Sequence, residues 1–148
     1  MNNLTVPALR IKQGNDRYLY SAAINGKQVS EIASISRIRR HDTLLDGYQR
    51  PEISTHITEI KNYIDSANPM IPNSIVIAFN ETVTFEAITE DSDHGYLHIP
   101  YCNENDIIPG FVVDGQQRSA ALREAENSDF TMPVSAFITS SPHSNSGK

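Results

Sequence analysis

Basic residues vanish from the middle of this chain. No Lys or Arg falls between Lys61 and Arg118, a stretch that holds Glu81, Glu86, Glu90, Asp91, Asp93, Glu104 and Asp106. With a formal charge of −6, that lack argues against a protein that coats nucleic acid indiscriminately. The cations gather earlier instead, at Arg37, Arg39, Arg40 and Arg50, so one face can still attract phosphate. Cysteine is nearly absent too. Cys102 stands alone, which excludes an internal disulfide and leaves a cysteine-built metal site without ligands. Neither a base nor a cation flanks it to lower its pKa, so a quiet thiol is expected. No apolar run approaches the roughly 18 residues of a membrane span. The opening MNNLTVPALRIKQG lacks the basic start and apolar stretch of a signal peptide. These absences predict a cytoplasmic protein without a membrane partner, and no internal repeat breaks the chain into an array.

At 148 residues, the chain fits one domain with a real core. RYLYSAAI (17–24) has the aromatic, alternating character of a strand. Asn25-Gly26 marks a turn, and Val29, Ile32 and Ile35 recur at helical spacing after it. RRHDTLLDG reads as a polar loop. The strongest helical signal is PEISTHITEIKNYIDSA (51–67), where Ile53, Ile57, Ile60 and Ile64 form one stripe. Pro51 suits its first turn, Asn68-Pro69 its stop, and His56 beside the stripe reads as a half-buried structural histidine. SIVIAF (74–79) and TVTFEAI (82–88) are expected to form a hairpin across Asn80-Glu81. TEDSDHG reads as a solvated loop rather than a metal site, since Asp91, Asp93 and His94 have no partner ligand at diagnostic spacing. YLHIPY, FVV and MPVSAFI supply further strands. The tail 139–148 has the composition of a disordered or truncated end. The element order predicts an α+β domain with a mixed, largely antiparallel sheet and flanking helices.

The chemistry concentrates in FVVDGQQRSAALREAE (111–126). Phe111, Val112 and Val113 are apolar without alternation, as in a strand covered on both faces. Gly115 lets the chain turn sharply into a helix, and Ala120, Ala121, Leu122 and Ala125 allow close packing on the sheet. A helix starting near Gln116 or Gln117 offers unpartnered backbone N–H groups and a favourable dipole to an anion. Arg118 adds a fork able to bind phosphate bidentately. A purely structural role stays open: Asp114 as cap, Arg118 paired with an acid, and the glutamines bonded to nearby loops.

The DGQQR run followed by a small-residue helix resembles the signature of the DGQHR-domain family, which includes the DndB-like and DbpB-like proteins of bacterial DNA phosphorothioation. GYQRPEISTHITEIKNYIDSANPMIPNSIVIAFN (47–80) resembles the family's upstream QR segment, helix and strand, and VPALRIKQGNDRYLYSA its opening strand region. The likeness covers most of 5–138, read as a single domain. A more distant likeness runs to the ParB N-terminal and sulfiredoxin fold, whose members bind nucleotide phosphates at the equivalent turn. Gln117 stands where the family name has histidine, which disfavours an imidazole base there. No counterpart of the sulfiredoxin cysteine exists, which disfavours sulfinic-acid reduction. The chain is short for a full DndB-like protein, leaving room for a missing C-terminal portion.

The resemblance implies a component or regulator of a DNA sulfur modification or defence system, working with other modification proteins. Gly115, Gln116, Gln117, Arg118, Arg50 and Gln49 would bind a nucleotide (ATP, CTP or GTP, with or without Mg²⁺) or a DNA phosphate. Asp114 is the candidate for a catalytic metal or water role if the protein is a nucleoside triphosphatase gating DNA binding or nicking. A third reading is a non-catalytic DNA-binding transcriptional regulator, with Arg37, Arg39 and Arg40 on the DNA backbone.

Overall fold

The computed structural model describes residues 3–35, 43–101 and 107–139, with the backbone alone over 43–52. Its strands are β1 (Asn3–Lys12), β2 (Tyr18–Asn25), β3 (Ala33–Ser34), β4 (Ile75–Phe79), β5 (Thr84–Ala87), β6 (His94–Pro100), β7 (Gly110–Asp114) and β8 (Thr131–Ile138). Three helices accompany them among the described residues: α1 (Gly26–Ile32), α2 (Thr43–Ile64) and α3 (Gln116–Glu124). The strands form one sheet in the order β3-β7-β4-β8-β2-β1-β6-β5. Only the β3–β7 and β4–β8 pairs are parallel. The α+β architecture with a largely antiparallel sheet is therefore as expected.

The core joins alternate strand residues to the helices. Ile75, Ile77, Phe79, Val112, Met132 and Val134 are almost fully buried, in one cluster with Val29 and Ile32 of α1, Ile64 of α2, and Ala121 and Leu122 of α3. The isoleucine stripe behaves as its spacing predicts: Ile64 is buried, and Ile57 and Ile60 pack against the core.

Several sequence expectations need correction. Asn80-Glu81 does not turn a hairpin. Both edges of β4 are already taken, by β7 and β8, whereas β5 pairs with β6 across the sheet. Asn80 instead accepts the Thr82 N–H at 2.9 Å through its side chain. That side-chain turn redirects the chain away from β4. Asn25 caps α1 by accepting the Lys27 N–H at 2.8 Å. α1 ends before Ile35, because Ala33 becomes extended and Ala33–Ser34 pairs alongside β7. α2 begins at Thr43, so part of the expected polar loop is helical and Pro51 sits within the helix. Helix interiors tolerate proline only at the loss of one backbone hydrogen bond.

Past the C-terminal end of α3, Asp65 joins the end of α2 to the segment that follows. Its carboxylate accepts the Glu126 N–H at 3.1 Å and the Asn127 N–H at 2.9 Å. These backbone donors, Glu126 foremost, together with Lys61, hold its pKa below the ordinary 3.8. The two helices are thus tied at one end, and a cleft opens between α2 and the start of α3.

Candidate functional site

The turn after β7 departs from a plain strand end. Val76 pairs with Asp114 but the next β4 residue, Ile77, pairs with Val112, so Val113 is an extra residue in a β-bulge. A bulge bends its strand and re-aims the side chains beside it. Val113 is therefore 41% exposed, which corrects the expectation of a strand covered on both faces. Asp114 likewise points its carboxylate into solvent.

Gly115 follows with φ +99° and ψ 26°, a left-handed conformation that L side chains adopt at a cost. A Cβ there would lie 3.1 Å from Arg118 Nη2 and 3.2 Å from Ile75 Cγ1. Glycine thus answers both the backbone angle and the closeness of the guanidinium. α3 starts at Gln116, as expected, and the Ser119 N–H closes its first turn on the Gly115 carbonyl at 2.8 Å. No side chain caps this helix. Asp114 does not serve as the cap, because Gly115 occupies that position.

The polar side chains divide between structural partners and the cleft. The Gln116 amide donates back to the Val112 and Val113 carbonyls, each at 3.1 Å, and fastens the helix to the bulge. Arg118 Nη1 donates to the Asn73 carbonyl at 2.6 Å, and its Nη2 stands 4.0 Å from Asp114 Oδ2. A guanidinium carries five N–H groups, so these contacts fix its place without exhausting its donors. Asp114, Gly115, Gln116, Gln117 and Arg118 all line one cleft of about 590 Å³.

The opposite wall is α2, through His56, Glu59, Ile60 and Tyr63, with Ile71 beyond. His56 is not half-buried. Its side chain is 57% exposed, with Nδ1 3.8 Å from Glu59 Oε1. Sequence reasoning missed these residues as site candidates, although their spacing of three, one and three places them on one helical face. Gln49 and Arg50 fall earlier on α2, and their side chains lie outside the described residues. Arg37, Arg39, Arg40, Cys102 and the tail from Ser140 also lie outside them. In the loop weighed as a metal site, Asp93 accepts from Arg10 Nε at 3.2 Å.

A family model described as DndB, DNA-sulfur modification-associated, matches residues 6–143. The chain belongs to the DndB family. No curated protein and no solved structure gives a significant match, and the ParB and sulfiredoxin likeness is not confirmed. Membership associates this DndB-family protein with DNA sulfur modification. The bulge, the glycine-capped helix and both cleft walls fall inside the matched span. No helix among the described residues is long and apolar enough to cross a membrane.

Proposed function

We propose that this DndB-family protein serves its DNA sulfur modification system by binding a nucleotide or DNA phosphate at the Asp114–Arg118 turn. The observation that carries this reading is a glycine-capped helix start, without a side-chain cap, opening into the same cleft as Arg118. First-turn N–H groups of α3 and the helix dipole favour an anion. Arg118, held against Gly115 and Asn73, supplies the balancing positive charge without having to be ordered on binding. Mg²⁺ arriving with a nucleotide needs only one or two protein carboxylates, and Asp114 lies at the cleft for one of them.

Isothermal titration with ATP, CTP, GTP and a short DNA tests the reading. Saturable binding to the wild type is expected, with a loss of about tenfold or more in Arg118→Ala, since hydrogen bonds to charged groups contribute about 1.5–3 kcal/mol. Absence of binding by every ligand, or an unaffected Arg118→Ala, would overturn it.

One observation favours a hydrolytic variant of the same reading. Glu59 brings a second carboxylate to the cleft that holds Asp114. Hydrolysis needs a positioned water and charge stabilisation, and either carboxylate would supply the first. No phosphate release by the wild type would remove this variant, and release that survives both Asp114→Asn and Glu59→Gln would remove the role of the two carboxylates. The DNA-regulator reading through Arg37, Arg39 and Arg40 predicts duplex affinity that falls steeply with salt. Weak salt dependence would count against it.

A further inference from the structure

Tyr63 carries an observation that phosphate binding leaves unexplained. Tyr63 lines the cleft and as a residue remains 44% exposed, yet its hydroxyl is held twice by one residue. It donates to the Met70 carbonyl at 3.0 Å and accepts the Met70 N–H at 2.8 Å. A tyrosine anchored at its tip presents a fixed aromatic surface at little further entropic cost. The aromatic pair found among the described residues, Tyr20 with Phe85, involves other residues. Ile60 and Ile71 add apolar surface to the same wall.

Charge narrows the ligand class further. Glu59 and Asp114 line the cleft together with Arg118, so a bare polyanion would meet two carboxylates and one guanidinium. Carboxylates only accept hydrogen bonds. An occupant suited to this wall offers N–H or O–H donors and a planar ring in addition to an anionic group. Nucleoside phosphates have all of these: an anionic phosphate, amino or hydroxyl donors, and a base that stacks on aromatic side chains. The volume, about 590 Å³, lies within the roughly 300–1,000 Å³ usual for small-ligand sites.

We propose that Tyr63 is a base-stacking residue, and that the cleft takes a nucleoside phosphate whose base is unpaired. This rests on the phosphate reading of the Asp114–Arg118 turn and adds the base to it. The unpaired unit comes either from a free nucleotide or from single-stranded DNA. A base inside a duplex would first have to be extruded from its stack.

The test titrates the full chain with ATP, CTP, GTP, inorganic tripolyphosphate, a short single-stranded DNA, the same strand made abasic, and its duplex. Variants are Tyr63→Leu, which removes the ring, and Tyr63→Phe, which keeps the ring and removes its tether. Tyr63→Leu is expected to weaken nucleotide or single-strand binding by about 5- to 150-fold, the range of base–aromatic stacking. Tripolyphosphate affinity should not change, and Tyr63→Phe should retain most nucleotide affinity. Tighter binding of mononucleotides than of single strands assigns the free source, and the reverse order assigns DNA.

If tripolyphosphate matches ATP in the wild type and Tyr63→Leu leaves their ratio unchanged, the base reading is overturned while the phosphate reading stands. If nucleotide binding needs Tyr63 but ignores Arg118→Ala, the phosphate reading falls alone. Equal affinity for duplex, abasic and intact single strands removes the single-strand source, and no binding by any nucleotide or strand overturns the proposal. A tyrosine that only clamps the Met70 loop would lower thermal stability in both variants without moving the ATP-to-tripolyphosphate ratio.

Discussion

Replacing Gly115 with alanine tests the turn at its most constrained point. The backbone there has φ +99°, a region that costs an L residue roughly 1–2 kcal/mol. The new Cβ would also meet Arg118 Nη2 at 3.1 Å and Ile75 Cγ1 at 3.2 Å. Ile75 is fully buried, so it yields little, and the guanidinium is the group that must move. Backbone strain and crowding together are expected to cost about 2 kcal/mol. For a chain of this size that lowers Tm by about 4–8 °C. Thermal melts followed by circular dichroism read the shift. The double variant Gly115→Ala/Arg118→Ala separates the two causes: it relieves the contact with Nη2 but not the backbone strain. A coupling of at least about 0.5 kcal/mol is therefore expected between the two sites. If Gly115→Ala melts together with the wild type, the left-handed turn is not a constraint and the account of this site fails.

Ser119 Oγ is buried without a hydrogen-bond partner among the described residues. Ser119→Ala is therefore expected to stabilise the fold by about 1 kcal/mol, raising Tm by about 2–4 °C; a lower Tm would show that the hydroxyl has a partner. Asp65 has a depressed pKa in the folded chain, chiefly because it accepts the Glu126 and Asn127 N–H groups. Its contribution is present above the unfolded value near 3.8 and is lost as pH falls through the lower folded value. Melting curves of Asp65→Asn should therefore lose less stability than wild type on acidification below that value, and parallel acid limbs would contradict the linkage. Ile64→Ala, at a fully buried position, should cost about 2–5 kcal/mol by leaving a cavity at the α2 contact. Chemical denaturation would measure it.

What the sequence made legible was local. Hydrophobic spacing located the isoleucine stripe of α2 and the later strands, and DGQQR marked the step from strand to helix. Pairing across the sheet was not legible. Asn80-Glu81 has the length of a hairpin turn, yet β4 spends both edges on strands distant in sequence. The bulge at Val113 is equally hidden, because it arises from register against β4 and not from any residue type. That one extra residue exposes Val113 and turns Asp114 outward, which pattern reasoning on three apolar residues could not foresee. His56 shows a related limit. Its place beside an apolar stripe suggested burial, but the cleft leaves that side of α2 open, so exposure was decided by what lies opposite. The spacing of His56, Glu59, Ile60 and Tyr63 was present in the sequence. What it faced became visible only with the turn in place.

The central claim is that phosphate is held by the first turn of α3. Backbone amide NMR spectra recorded while ATP, CTP or GTP is added test it most directly. The account predicts saturable shifts centred on the amides of Gln116, Gln117 and Arg118, with α2 resonances at Tyr63 moving in step. Saturable shifts centred elsewhere, with those three amides unmoved, would contradict it.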